Sequence, residues 1–273
     1  MRTTFILFLL FYYSQNSQAY SIGGPDAMGV GCSGVVTQGA WSCEQNPAGI
    51  ANASVNTCFG IKQTNHFRIG NWNDVAIGAT MGINRRTGAA IRFSQEGIPG
   101  YKSSGILAGT AVSITKNWQI GISAGVVSEL IGSKEIKAFH LIESHIGTSI
   151  DLNRNIKAGL VADNIQGSMK SDPRIPSPAS IRSGLSIRTS ETFVLMAEAA
   201  ANNTEQNFSL GCIYQPATNV AIRIGYNTSG RQLSAGLGYK WKKWSIDTAV
   251  RYQVYLGSST SIGISYCHEK KRD

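Results

Sequence analysis

Val220-Ala-Ile-Arg-Ile-Gly-Tyr226, Leu233-Ser-Ala-Gly-Leu-Gly-Tyr-Lys240 and Trp244-Ser-Ile-Asp-Thr-Ala-Val-Arg-Tyr-Gln253 are consecutive segments that alternate residue by residue. In the first, Val220, Ile222, Ile224 and Tyr226 share one face, opposite Ala221, Arg223 and Gly225. Leu233, Ala235, Leu237 and Tyr239 oppose Ser234, Gly236, Gly238 and Lys240. Trp244, Ile246, Thr248, Val250 and Tyr252 oppose Ser245, Asp247, Ala249, Arg251 and Gln253. A period of two is the signature of a strand with two unlike faces, and no helix face produces it.

The same test, carried outward, places strands near 57–65, 73–83, 87–95, 104–114, 118–128, 138–151, 155–165, 179–189, 192–201 and 206–215. Those near 219–227, 231–241, 243–253 and 258–267 complete the set. That makes about fourteen, an even number, each near the length that crosses a bilayer at a tilt. Tight turns at 84–87, 116–117, 153–154, 189–192, 216–219 and around Lys242 take every second connection. Between them come mostly longer links, at 66–72, 96–103, 129–137, 166–178 and 254–257. Short periplasmic turns alternating with longer outer loops are the habit of a transmembrane barrel. The expected fold is therefore all-β: an antiparallel up-and-down barrel in a membrane.

Both faces support this reading over a soluble sandwich. The polar face is largely Gly, Ser, Ala and Thr with single charges, which suits a lumen better than open solvent. Trp118, Tyr214, Tyr226, Tyr239, Trp241, Trp244, Tyr252 and Tyr266 fall near strand ends on the apolar face, like an interfacial girdle. On this register Leu237→Arg should block insertion, and Ser234→Arg should be tolerated.

Composition agrees. Mean hydropathy is −0.08, an unremarkable average that results when lipid-facing and lumen-facing residues cancel. Thirty Gly and seven Pro fit many strands and tight turns. The start reads as a leader: Arg2, the apolar run Phe5–Tyr13, then Ser17-Gln18-Ala19, so cleavage is expected after Ala19. The run is too short for a membrane helix, which needs roughly 20 residues. The division expected is leader 1–19, an N-terminal segment 20–56 and a barrel 57–273. The net charge of +9 would raise nucleic acid as a partner. An exported chain with singly spaced charges argues against it.

Five cysteines lie at irregular spacing, without Cys-x-x-Cys. Two readings stand: small-residue substitutes, or a disulfide, for which Cys32 and Cys43 are the first pair to test. The histidines do not fall at metal-ligand spacing. His145 and Glu143 share an inward face with Ser149, but i and i+4 on a strand lie roughly 13 Å apart. No His-Ser dyad forms there, so neither catalytic residue, metal nor cofactor is expected. Inward charges Arg92, Glu143, Lys157, Asp163, Arg182, Arg188, Glu198, Arg223, Asp247 and Arg251 carry both signs. An ion-selective pore more often shows a ring of one sign; mixed signs and small residues favour a plugged lumen.

Residues 20–56 do not alternate. Gly29-x-Gly31-x-x-Gly34 matches the dinucleotide fingerprint in spacing alone, with no preceding strand and no βαβ unit. Ala27-Met-Gly-Val-Gly31, followed by Asn46-Pro47-Ala48-Gly49-Ile-Ala51, resembles the N-terminal region of the PorV/PorQ-like outer-membrane proteins of Bacteroidetes. More distantly it is similar to the long-chain fatty-acid transporter (FadL-like) superfamily. Phrases at Arg174-Ile-Pro176, Ile181–Ile187, Tyr214-Gln-Pro216, Ala221–Tyr226, Gly236–Lys243 and Ile264–Tyr266 extend the resemblance over most of the chain. It implies a fourteen-stranded barrel in the outer membrane of a Gram-negative cell. It also implies a hatch in the lumen, bent at Asn46-Pro47 and carrying Gly29, Gly31, Gly34, Ala48 and Gly49. The partners implied are outer-membrane lipid and a small hydrophobic ligand or, in a docking or shuttle role, a secreted or periplasmic protein. The outer links here are shorter than in secretion-linked members, and Gln38-Gly-Ala-Trp41 replaces their charged spacer.

Overall fold

The computed structural model describes residues 23–54, 56–70, 72–132, 139–165 and 179–269. The expected leader and the Pro-rich stretch 168–178 lie outside them. The first strands are β1 (Asn56–Asn65), β2 (Asn73–Gly82), β3 (Thr87–Ile98), β4 (Tyr101–Ser113) and β5 (Trp118–Ile131). They are followed by β6 (Phe139–Asp151), β7 (Ile156–Asp163), β8 (Ser180–Arg188), β9 (Phe193–Asn202) and β10 (Gln206–Ala217). The last are β11 (Val220–Asn227), β12 (Gln232–Trp241), β13 (Trp244–Gln253) and β14 (Gly257–Glu269). Each pairs antiparallel with its neighbours in sequence, and β14 pairs with β1, so the sheet is a closed fourteen-stranded barrel. Closure leaves no edge, which a sheet in hydrocarbon requires.

The alternation in the sequence maps onto the two faces of the wall. On β12, Leu233, Leu237 and Tyr239 are exposed while Gln232, Ser234, Gly236 and Gly238 are buried. Around the ring, Phe59, Ile77, Phe93, Ile122, Ile142, Leu160, Ile181 and Leu210 likewise point outward. Most of the expected girdle, including Trp118, Tyr239, Trp241 and Trp244, lies at the short-turn end. There the Trp244 and Tyr266 rings sit 5.0 Å apart.

Two expectations are corrected. The link expected at 96–103 is mostly strand, because β3 and β4 pair out to Ile98 and Tyr101 around the two-residue turn 99–100. Gly100, at φ 90, permits that turn. The disulfide does not join Cys32 to Cys43, whose thiols are both free. It joins Cys58 to Cys267. These face each other across β1 and β14, Cα atoms 4.1 Å apart although 209 residues separate them in sequence. Closure of the ring brings the first and last strands together, and no local spacing announces it.

Residues 23–54 run on the inward side of the wall. They form helix α1 (Pro25–Gly29), helix α2 (Ser42–Gln45) and a 3₁₀ stretch at Pro47–Ser54. Helix α1 packs against β11 to β14, and the 3₁₀ stretch against β1 to β6. Ala27, Cys43, Ala48 and Ile50 are wholly buried.

Candidate functional site

The wall makes room for this segment with a belt of glycine on the inward face of the barrel. Gly60, Gly78, Gly109, Gly121, Gly147, Gly159, Gly184, Gly211, Gly225, Gly236 and Gly263 each meet it directly. A Cβ on Gly121 would stand 2.3 Å from the Pro47 carbonyl carbon, and one on Gly225 would stand 2.1 Å from the Gly31 nitrogen. These are contacts of backbone with backbone, so the glycines serve close approach here.

The Asn46-Pro47-Ala48-Gly49 phrase turns within this belt. The Asn46 amide nitrogen donates to the Val35 carbonyl (2.7 Å) and to the Thr148 carbonyl on β6 (3.1 Å). Its side-chain oxygen accepts from the Ala48 amide at 3.0 Å. Asn46 thus ties two parts of the segment to the wall, using donor and acceptor at once. A side chain at Gly49 would meet Ser42 Oγ at 2.9 Å. The three glycines of the earlier run have separate duties. Gly29 lies against Gly236, Gly31 (φ 73) against Tyr226, and Gly34 against Gln45.

A chain of buried ion pairs crosses the lumen and holds the segment. Glu44 on α2 pairs with Lys62 of β1 at 3.2 Å and with Arg92 of β3. Arg92 also meets Glu143 at 2.9 Å. Glu143 contacts His145 Nε2 (3.1 Å), and His145 Nδ1 contacts Asp163 (2.6 Å). Asp163 meets Arg182 at 2.6 Å, and Arg182 lies 3.7 Å from Glu198. The segment closes the circuit: Arg182 donates to the Gln45 carbonyl (2.7 Å), and the Val35 amide donates to Glu198 (3.0 Å). Burial pushes the Glu44 carboxyl up, but Lys62 and Arg92 together more than reverse this and hold it below its ordinary value. Burial drives the neighbouring Cys43 thiol up to about 12, leaving it protonated and unreactive.

Of the inward charges read from the sequence, Arg92, Glu143, Asp163, Arg182 and Glu198 join this chain. Arg223 pairs separately with Asp247 at 2.7 Å. Lys157 pairs with Asp151 at 3.3 Å, nearer the rim. Arg188 keeps the inward phase but is exposed at the end of β8. Arg251 is buried and has no carboxylate partner among the described residues. Both ring nitrogens of His145 are engaged by carboxylates, so none is left to activate Ser149. Ser234→Arg would not be tolerated after all. Ser234 Oγ accepts from the Gly31 amide at 3.0 Å and donates to the Gly29 carbonyl at 3.3 Å. The face is a lumen face, but a filled one.

Sequence reading passed over Lys62, Glu44 and His66. Lys62 shares the inward phase of Cys58, Gly60 and Thr64, so the alternation test finds it once carried through β1. Glu44 lies where no period exists to aim it. A cavity of about 270 Å³ lies between segment and wall at the short-turn end, lined among others by Pro25, Asp26, Ala40, Trp41, Arg223 and Asp247.

The closed barrel of fourteen antiparallel strands superposes on solved structures over nearly its whole length. The toluene transporter TodX of P. putida aligns with TM-score 0.70 and 10% identity, over 94% of this chain and 100% of that one. The toluene transporter TbuX of Ralstonia pickettii gives 0.66 and 11%, over 91% and 98%. The CymD monoaromatic hydrocarbon channel gives 0.66 and 14%, over 93% and 100%. Identities this low show a shared fold. No family model and no curated protein matches the sequence.

Proposed function

We propose that this protein is a plugged barrel of a Gram-negative outer membrane that passes a small hydrophobic molecule, with residues 20–56 serving as its hatch. The observation that carries the reading is the filling of the lumen. The segment is bonded to strands on opposite sides of the ring, through Glu44 to β1 and β3 and through Val35 to β9. A barrel so occupied is built for selective passage, since fourteen strands enclose more space than wall side chains fill. The cavity beside Trp41 is near the lower end of ordinary ligand pockets, about 300–1,000 Å³. The names of the superposable structures, transporters and channels for toluene and monoaromatic hydrocarbons, favour transport over catalysis. The PorV/PorQ-like phrase Asn46-Pro47-Ala48-Gly49 supports the same plugged plan.

A second reading, docking of a secreted or periplasmic protein, is favoured by one feature. Val254, Tyr255 and Leu256 form an exposed apolar tip between β13 and β14, with Tyr255 79% exposed. Uptake into proteoliposomes distinguishes the two. Liposomes carrying the intact protein should take up toluene faster than empty ones, yet show no added permeability to sugars and little ion conductance. Conductance like that of an open porin would overturn the plug. Equal toluene entry with and without protein would overturn transport.

A further inference from the structure

The short turns at one end of the barrel are bonded into a hoop. The carbonyls of Arg86, Asn117, Asn155, Thr192, Asn219 and Lys243 each accept from an amide of the neighbouring hairpin, at 2.7 to 2.8 Å. Every such bond steps from one hairpin to the next around the ring, so whatever the turns carry is held at a common level. What they carry is positive charge. Arg85 and Arg86 lie in the turn after β2, Lys116 in that after β4 and Arg154 in that after β6. Arg188 ends β8, and Lys240, Lys242 and Lys243 lie at the turn after β12. All of these side chains are exposed, and none has a carboxylate within 4.0 Å among the described residues. Lys157, just inside β7, is the one of this group that is paired, with Asp151.

Along these turns and the strand residues that flank them, the acidic side chains are Asp151 and Glu191 alone. The opposite end differs: its described cations Arg68, Lys102 and Arg231 are outnumbered by Asp74, Glu96, Glu129 and Glu205. Among the described residues, then, the exposed basic excess collects at one end. The aromatic girdle fixes the depth of that end. Trp118, Tyr239, Trp241 and Trp244 are exposed on the wall beside these same turns. Such rings settle at the boundary between hydrocarbon and headgroups, so the turns just beyond them stand among headgroups. Lys242 Nζ lies 5.3 Å from the centroid of the Trp241 ring, which ties one cation directly to that boundary.

We propose that the short-turn end is a docking surface for anionic phospholipid headgroups, those of the inner leaflet when the turns face the periplasm. A phosphodiester accepts charge-assisted bonds from Arg and Lys alike. Each Lys or Arg close to an anionic membrane surface raises affinity about fivefold. The distribution selects lipid over a protein partner: cations lie at every short turn but the one at 218–219, and an acidic protein would meet one sector where a lipid annulus meets them all. The inference goes beyond the transport reading and holds whatever the lumen passes, but it rests on the barrel lying in a membrane.

The full-length protein is reconstituted into phosphatidylcholine vesicles holding a trace of spin-labelled phosphatidylglycerol or, separately, spin-labelled phosphatidylcholine. Electron paramagnetic resonance then reads the fraction of each label restricted at the protein surface. The anionic label should associate about fivefold more strongly, and the preference should shrink as salt is raised. A variant carrying Arg85→Gln, Arg86→Gln, Lys240→Gln, Lys242→Gln and Lys243→Gln should lose most of it. One carrying Arg68→Gln, Lys102→Gln and Arg231→Gln, at the opposite end, should keep it. Should the first variant not fold, the salt response of the wild type and the opposite-end variant still decide. Equal association of the two labels, a preference indifferent to salt, or its loss in the opposite-end variant would each overturn the proposal. Binding of soluble polyglutamate without any lipid preference would also overturn it, in favour of an acidic protein. No restricted component with either label would instead overturn the membrane barrel itself, and the proposal with it.

Discussion

The barrel wall and the segment inside it are stabilised in opposite ways. Each strand is bonded along its length to two neighbours, and the ring closes on itself through β1 and β14. The wall therefore satisfies its own backbone, as hydrocarbon demands. Residues 23–54 have only two short helices and a 3₁₀ stretch of their own. Most of residues 23–51 are nonetheless buried, because the wall supplies their partners: Glu44 to Lys62 and Arg92, Asn46 to Thr148, Gly31 to Ser234. The lesson is an asymmetry of dependence. The segment takes its partners from the wall, whereas the backbone bonds of the wall close within the ring itself.

The largest test of that asymmetry strikes the wall. Leu237 is on the lipid face and 59% exposed. Leu237→Arg should cost about 2–4 kcal/mol near the bilayer midplane and abolish folding into liposomes, scored by gel migration without boiling. Insertion equal to wild type would break the inside/outside assignment. Next in size is Glu44→Gln, which weakens the charged contacts to both Lys62 and Arg92, each hydrogen bond to a charge being worth about 1.5–3 kcal/mol. The barrel should still insert, but planar-bilayer recordings should show ion conductance that the wild type lacks. Loss of insertion would mean that the wall depends on the segment.

Gly225→Ala should act in the same direction through packing alone. Its new Cβ would press on the Gly31 nitrogen and the Val30 carbonyl carbon, and overpacking of this kind costs about 1–3 kcal/mol. Intermittent conductance is expected, less than in Glu44→Gln; a silent channel would mean the segment shifts without losing its seat. The smallest effect is that of pH. Because Glu44 is held below its ordinary value, its contribution to docking is present above the unfolded-state value and lost only as pH falls through the lower folded one. Lys62, Asp74, Arg92 and Glu143 surround it, from β1, β2, β3 and β6. Wild-type conductance should stay low at neutral and mildly acid pH and rise only in strong acid. The Glu44→Gln variant should lack that acid-dependent rise. Opening of the wild type between pH 5 and 7 would point away from Glu44.

The chain by itself determined the wall. All fourteen strands were legible because a period of two is a local property: each residue's face follows from its neighbours, as in Val220 to Tyr226. That logic also assigned Arg92, Glu143, Arg182 and Arg251 to the inside and Leu237 to the outside. Only the tertiary structure decided who meets whom. Cys58 finds Cys267 because the ring closes, and Glu44 reaches Lys62 and Arg92 because an aperiodic segment is threaded past them. Glycines that read as loose strand residues become a seat because backbone passes within contact of them. Periodicity fixes direction with respect to a surface, but distance across a lumen depends on how the whole ring closes, and no stretch of sequence carries that information locally.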